Sequence, residues 1–175
     1  MKAFLKIALP VFVLFACNTN KQSNPHKSSL LTVSTIAMVV PSSFIKSHAP
    51  GQMRIAEYRL KSATEYSINV FHFGMQDMID ENISRWRQQF VEETSYTPLT
   101  VKDTSVIAVK ILGTYKLKDT PMAQEFTETE NYGTLAAIVP SYSGPLYFKL
   151  SAPGDILGAH EDDFLKMLNS YEMLN

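Results

Sequence analysis

The sequence predicts an α+β domain, a mostly antiparallel sheet of about six strands with two main helices packed against it. Three observations carry this. Ile79, Ile83, Trp86 and Phe90 recur at spacings of four, three and four, the period of an amphipathic helix. Phe164, Met167, Leu168, Tyr171 and Leu174 draw a second such stripe near the end of the chain. The β-branched and aromatic runs come in pairs separated by short Gly-, Pro- and Ser-bearing segments, spacings that make hairpins and not parallel crossovers. Hairpins beside two helices mean an antiparallel sheet with helices on it.

The chain opens with Lys2 and Lys6, an apolar run from Ile7 to Phe15, and Ala16 immediately before Cys17, the only cysteine. Charge, apolar run and small residue in that order are the layout of a secretory signal peptide. The run is shorter than the roughly 20 apolar residues that a spanning helix needs, and Pro10 interrupts it. A cleaved signal is therefore favoured over a retained anchor. Leu14-Phe15-Ala16-Cys17 also resembles the lipobox of bacterial lipoproteins. That resemblance implies cleavage before Cys17, a diacylglycerol thioether on its sulfur and an acyl chain such as palmitate on its freed amino group. Two or more chains make anchoring stable where one does not. The expected organisation is a signal peptide over 1–16, a lipidated cysteine and flexible tether over 17–29, and one domain over 30–175.

Removal of residues 1–16 takes two lysines and leaves 14 basic against 17 acidic side chains, a formal charge of -3. That balance has the wrong sign for a nucleic-acid footprint. With Cys17 modified no thiol remains, so disulfides, thiolate metal sites and cysteine catalysis are excluded together. The remaining length suffices to bury a core without such staples.

Residues 18–29 are mostly Asn, Lys, Gln and Ser without apolar periodicity, a spacer. Leu30 to Val40 is β-branched and apolar, a strand stopped by Pro41, and Ser42 to Gln52 reads as a loop. Met53 to Leu60 alternates with a period of two, and Glu65 to Phe73 follows after four residues, an antiparallel hairpin. Asp77 to Glu92 is the first helix, with Asp77 at the N-cap and Asp80 and Glu81 placed favourably against its dipole. Ser105 to Leu117 returns to a β pattern in which Gly113 marks a bulge or bend. Lys118 to Asn131 is polar and acidic, a long loop. Tyr132 to Val139 and Leu146 to Leu150 form a hairpin across Pro140-Ser-Tyr-Ser-Gly-Pro145. Ala159 to Leu174 is the second helix, with Glu161, Asp162 and Asp163 at its start.

Met53-Arg-Ile-Ala-Glu-Tyr-Arg-Leu60, Val70-Phe-His-Phe-Gly74, Glu81-Asn-Ile-Ser-Arg-Trp-Arg-Gln-Gln-Phe90, Gly144-Pro-Leu-Tyr-Phe-Lys-Leu150 and Asn169-Ser-Tyr171 together resemble a family of uncharacterised bacterial envelope lipoproteins. The likeness spans most of residues 53–171, and the chain departs from it at Met75-Gln76-Asp77, where a Gly-rich turn often stands. More distantly the chain is similar to the Mog1/PsbP-like fold, an antiparallel sheet between helices. The resemblance implies an architecture, a place in the cell envelope, and an accessory or binding role. Fold analogy supplies no reaction.

Candidate chemistry is sparse. His72, Asp77, Asp80 and Glu81 offer an imidazole and three carboxylates at a strand end and helix start, the residues a metal-dependent enzyme or hydrolase would use. No Glu-x-x-His, His-x-x-x-His or EF-hand spacing accompanies them, and helix capping explains the acids. Ser42, Ser43, Ser141 and Ser143 with His48 or His160 could form a nucleophilic pair, but no Gly-x-Ser-x-Gly elbow is present, and His26 lies in the tether. The seven glycines are scattered singly, which removes a phosphate cradle. Trp86 lies on the helix stripe and reads as core packing more readily than as an exposed interface anchor. Residues 48–52, 72–77 and 118–131 are irregular segments that, gathered at one sheet end, would suit binding. Arg54, Arg85 and Arg87 would steer an acidic partner there.

The reading is a lipid-anchored envelope lipoprotein acting as a binding or accessory module. It touches the membrane through Cys17 and an envelope protein through its domain, with no nucleic acid, cofactor, metal or catalytic residue assigned. The alternatives are an envelope hydrolase or metal-dependent enzyme using His72 and the nearby acids, and a small-molecule or lipid carrier with a pocket between sheet and helices. An apolar cavity behind Trp86 would favour the carrier, and an exposed apolar loop patch would favour partner binding.

Overall fold

The computed structural model of the chain describes residues 28–174 apart from 34, 49, 50, 52, 77 and 121. The expected signal peptide, Cys17, His26 and Asp77 lie outside the described residues. The elements are β1 (Ser29–Val33), β2 (Ile36–Val40), β3 (Phe44–Ser47), β4 (Arg54–Leu60), β5 (Ser67–His72), α1 (Ile79–Arg87), β6 (Phe90–Pro98), β7 (Ile107–Leu117), β8 (Thr127–Val139), β9 (Leu146–Pro153), α2 (Gly154–Asn169) and β10 (Glu172–Met173).

The α+β class holds, with two helices and sheets paired antiparallel throughout. Among the described residues, seven strands form one sheet in the order β3-β4-β5-β9-β8-β7-β6, and β1-β2-β10 form a second. Among the described residues ten strands stand where about six were expected, and two of the additions have a local cause. The run from Leu30 to Val40 is a hairpin, with Val33 paired to Ile36 and Leu31 to Met38. A continuous apolar run does not encode where the chain reverses. β3 lies inside the expected loop and pairs Phe44 with Leu60.

The first helix is shorter than its periodicity suggested. It ends at Arg87, and Phe90 belongs to β6. Phe90 nevertheless joins Trp86 in one apolar cluster, so a helical spacing is satisfied by a residue on a strand. Met78 occupies the N-cap without a side-chain cap, while Asp80 and Glu81 are in the first turn as expected. The second helix starts at Gly154, five residues earlier than its stripe implied, so Asp155 is its first-turn acid and Glu161 to Asp163 fall mid-helix. β8 begins at Thr127 because Thr127 to Thr129 continue the pairing with Leu117 to Tyr115, which shortens the polar loop. The bulge expected at Gly113 lies between Gly113 and Tyr115. A Cβ there would overlap the backbone oxygen of Glu92 on β6.

Alternation along the strands divides the apolar residues between the two faces of the large sheet. Tyr58, Val70, Leu135, Phe148 and Leu150 join Leu157, Phe164, Met167 and Leu168 of α2 in the larger core, which also takes Leu31 and Met38. Burying side chains of this size contributes about 1.5–3 kcal/mol each. On the opposite face, Trp86 and Phe90 cover Val109, Ile111, Ile138 and Tyr147. Trp86 is only 4% exposed, so it packs in the core as its stripe implied.

Candidate binding cleft

α1 is nine residues long, too short to cover its face of the seven-stranded sheet. Beyond it the row across the strands turns polar: Glu57 of β4 is opposite Asn69 of β5, and Asn69 is opposite Lys149 of β9. At the β4 end the charge is internally satisfied, because the buried Glu57 carboxylate pairs with Arg54 at 3.1 Å and Arg59 at 3.2 Å. Arg54 also donates to Asn69 at 2.8 Å.

Lys149 has no such partner. Its ammonium donates to Oε1 of Gln89, just past α1, and lies 3.5 Å from the Tyr115 hydroxyl, which itself donates to Gln89 at 3.1 Å. Loss of water around this amine pulls its pKa from 10.5 down to about 8. Burial likewise raises the Tyr115 and Tyr132 hydroxyls above their ordinary value. The two rings stack with centroids 4.9 Å apart, and Ser151 bonds to Thr134 at 2.8 Å beside them.

These groups sit in an open cleft of about 750 Å³ between the end of α1 and the connection from β7 to β8. Arg85, Lys116, Lys118 and Lys149 line it together with Phe71, Tyr115, Phe126 and Tyr132, and no carboxylate does. None of the four cations forms an ion pair among the described residues. Lys116 donates to the Gln88 carbonyl at 3.0 Å, where α1 exposes its C-terminal oxygens, and lies 5.9 Å over the Phe126 ring. Lys118 donates to the Ala123 carbonyl at 2.8 Å, closing the loop on itself. Of the lining, Leu117 is 42% and Phe126 44% exposed. Clustered exposure of large apolar side chains beside cations marks an interaction surface more than a solvated loop.

The residues weighed in the sequence fall elsewhere. His72 holds the turn after β9's partner strand, its Nε2 being 2.9 Å from the Ser143 carbonyl, while Asp80 and Glu81 are exposed on α1. No group of three or more His, Cys, Asp or Glu is placed to hold a metal among the described residues. Ser43 donates to Asp163 at 2.6 Å, and Ser141 and Ser143 bond to each other. His160 meets neither pair but Ser62, at 2.9 Å. His48 lines a separate surface hollow with Arg54 and Glu57.

The three irregular segments do not share one end. Met53, just after the first of them, meets His72 where β5 ends, through the bond from His72 N–H to the Met53 carbonyl. The 118–126 loop is at the opposite end, since His72 pairs with Leu146 at the start of β9 whereas the loop precedes the start of β8. Of the steering arginines, Arg85 lines the cleft, Arg54 is held by Glu57, and Arg87 pairs with Glu93 at 2.8 Å. Lys149 was missed by sequence reasoning. Its signal was a lone lysine inside the apolar strand Leu146-Tyr-Phe-Lys-Leu150.

No protein-family model matches the chain, and no curated protein does. Among solved structures, the cyanobacterial PsbP protein (CyanoP) of Synechocystis sp. PCC 6803 is similar, with a TM-score of 0.51 at 11% identity over 84% of this chain and 94% of that one. The fold is therefore PsbP-like, as the distant resemblance implied, and at this identity the likeness speaks of fold alone.

Proposed function

We propose that the chain is a lipid-anchored bacterial envelope lipoprotein, fastened through Cys17, that works as an accessory module by holding an envelope protein in the cleft beside α1. The observation that carries the reading is the lining: four cations, four aromatic rings and no carboxylate, on a chain whose overall formal charge is -1. A partner segment mixing acidic and apolar residues complements it. The exposed Leu117 and Phe126 of the cleft fit partner binding, and Trp86 is buried in an apolar cluster. The acyl anchor restricts the domain to a membrane surface, and the tether raises its effective concentration near a partner held there. PsbP-like architecture is compatible with such a role.

Crosslinking and pull-down from membranes tests this with four forms: the native chain, Cys17→Ser, Lys116→Glu/Lys118→Glu, and Phe126→Ala. Recovery of one envelope protein by the native chain, its retention by solubilised Cys17→Ser and its loss from the cleft variants is the expected result. A Cys17→Ser chain that stays acylated and membrane-bound, or cleft variants that capture the same protein undiminished, would overturn it.

A further inference from the structure

A half-buried ammonium without a counter-ion is costly, since the desolvation of a charge is recovered only when an opposite charge or full hydrogen bonding replaces water. Lys149 has three protons to give. Gln89 Oε1 accepts one, and the Tyr115 oxygen, at 3.5 Å, is beyond good bonding distance. Every charged group lining the cleft around it is a cation: Arg85 from α1 and Lys116 and Lys118 from β7 and the loop after it, with the titratable hydroxyls of Tyr115 on β7 and Tyr132 on β8 beside them. Glu57, two strands away in the same row, is already engaged by Arg54 and Arg59 and does not serve as its counter-ion. The apolar walls, Phe71 and Phe126, flank the floor on which Lys149 and Ser151 lie.

We propose that this floor is a receptor for a single carboxylate carried on an apolar segment of the partner protein, with the Lys149 ammonium as its specificity-determining contact. The inference rests on the partner-binding reading of the cleft and names the chemistry it selects. Binding there completes an ion pair that the free protein leaves open. Lys116, Lys118 and Arg85 attract any acidic partner, whereas only a carboxylate reaching past the aromatic rings meets Lys149. Because this amine loses its charge as the pH rises through about 8, the selectivity of the floor for a carboxylate disappears at alkaline pH.

Calorimetric titration of the purified full chain with phenylpropionate, against phenylpropanol as its uncharged counterpart, tests the floor directly. The expected result is a carboxylate preference of about tenfold or more at pH about 7, lost by pH about 10. Lys149→Met removes the pH-dependent part of the preference, and Lys149→Arg keeps it at both pH values because the guanidinium stays charged. Lys149→Gln has the same effect as Lys149→Met and serves where that variant folds poorly. Equal binding of acid and alcohol by the native chain, or an unchanged preference in Lys149→Met, overturns the receptor. The membrane pull-down separates this from the broader reading: capture lost in Lys116→Glu/Lys118→Glu but intact in Lys149→Met overturns the carboxylate receptor and leaves the accessory role standing.

Discussion

The side-chain oxygen of Ser62 lies 2.9 Å from Nε2 of His160, while Nδ1 of the same ring is buried without a partner among the described residues. A serine nucleophile needs Nε2 as an acceptor and therefore a proton on Nδ1, normally held by an acid. Here that proton would be a buried donor without an acceptor, at a cost of about 1–3 kcal/mol. The network instead favours Nε2–H donating to Ser62, the tautomer that cannot act as a base. Asp163, one helical turn on, is committed to Ser43 and Lys166.

A fluorophosphonate reagent is accordingly expected to leave Ser62 unlabelled, and Ser62→Ala to lower unfolding stability by no more than about 1 kcal/mol. Mass-spectrometric detection of a Ser62 adduct that disappears in His160→Phe would restore the hydrolase reading.

Lys149 links stability to pH. Its amine titrates near 8 in the folded chain against 10.5 ordinarily, so between those values the unfolded chain binds more protons. Stability therefore rises with pH across that window, and the burial penalty is full below about pH 8. Lys149→Met removes the penalty and should stabilise the fold by about 1–3 kcal/mol at neutral pH, a gain that shrinks as the pH rises from about 8 and is gone by about 10.5. Urea unfolding at both pH values measures this, and a destabilised Lys149→Met at neutral pH contradicts it.

Gly144 has φ +109, and a Cβ on it would overlap the carbonyl oxygen of Gly74 in the turn after β5. Strain and overlap add in Gly144→Ala, which should lose about 2 kcal/mol or more. His72→Ala, which removes the bond from the ring to the Ser143 carbonyl, should lose about 1 kcal/mol. Denaturant midpoints rank the two, and a Gly144→Ala chain as stable as the native one removes the packing argument for that turn.

Two phenylalanines separate core from surface. Phe164 on α2 is fully buried, and Phe164→Ala should cost about 3–5 kcal/mol. Phe126, at the cleft mouth, is 44% exposed, and Phe126→Ala should change stability by less than about 0.5 kcal/mol while weakening partner capture. Thermal unfolding and the pull-down together report this contrast. Loss of capture in both variants at temperatures where both remain folded would assign it to something other than the cleft.

The α+β class, the hairpin of Met53 to Phe73, the burial of Trp86 and the bulge at Gly113 were legible in the sequence because each follows from a period of 3.6 or 2, or from one residue's own geometry. The reversal between Val33 and Ile36, the shift of Phe90 from helix to strand and the early start of α2 were not, since an apolar run satisfies several registers and only packing selects among them. The proposed envelope address rests on Cys17 and the residues before it, a local pattern legible in chain order alone. The candidate site has no local pattern. Lys149, Gln89, Tyr115 and Phe126 come from β9, the end of α1, β7 and the loop after it, and their convergence exists only once the sheet sets its strand order and a nine-residue helix leaves part of one face uncovered.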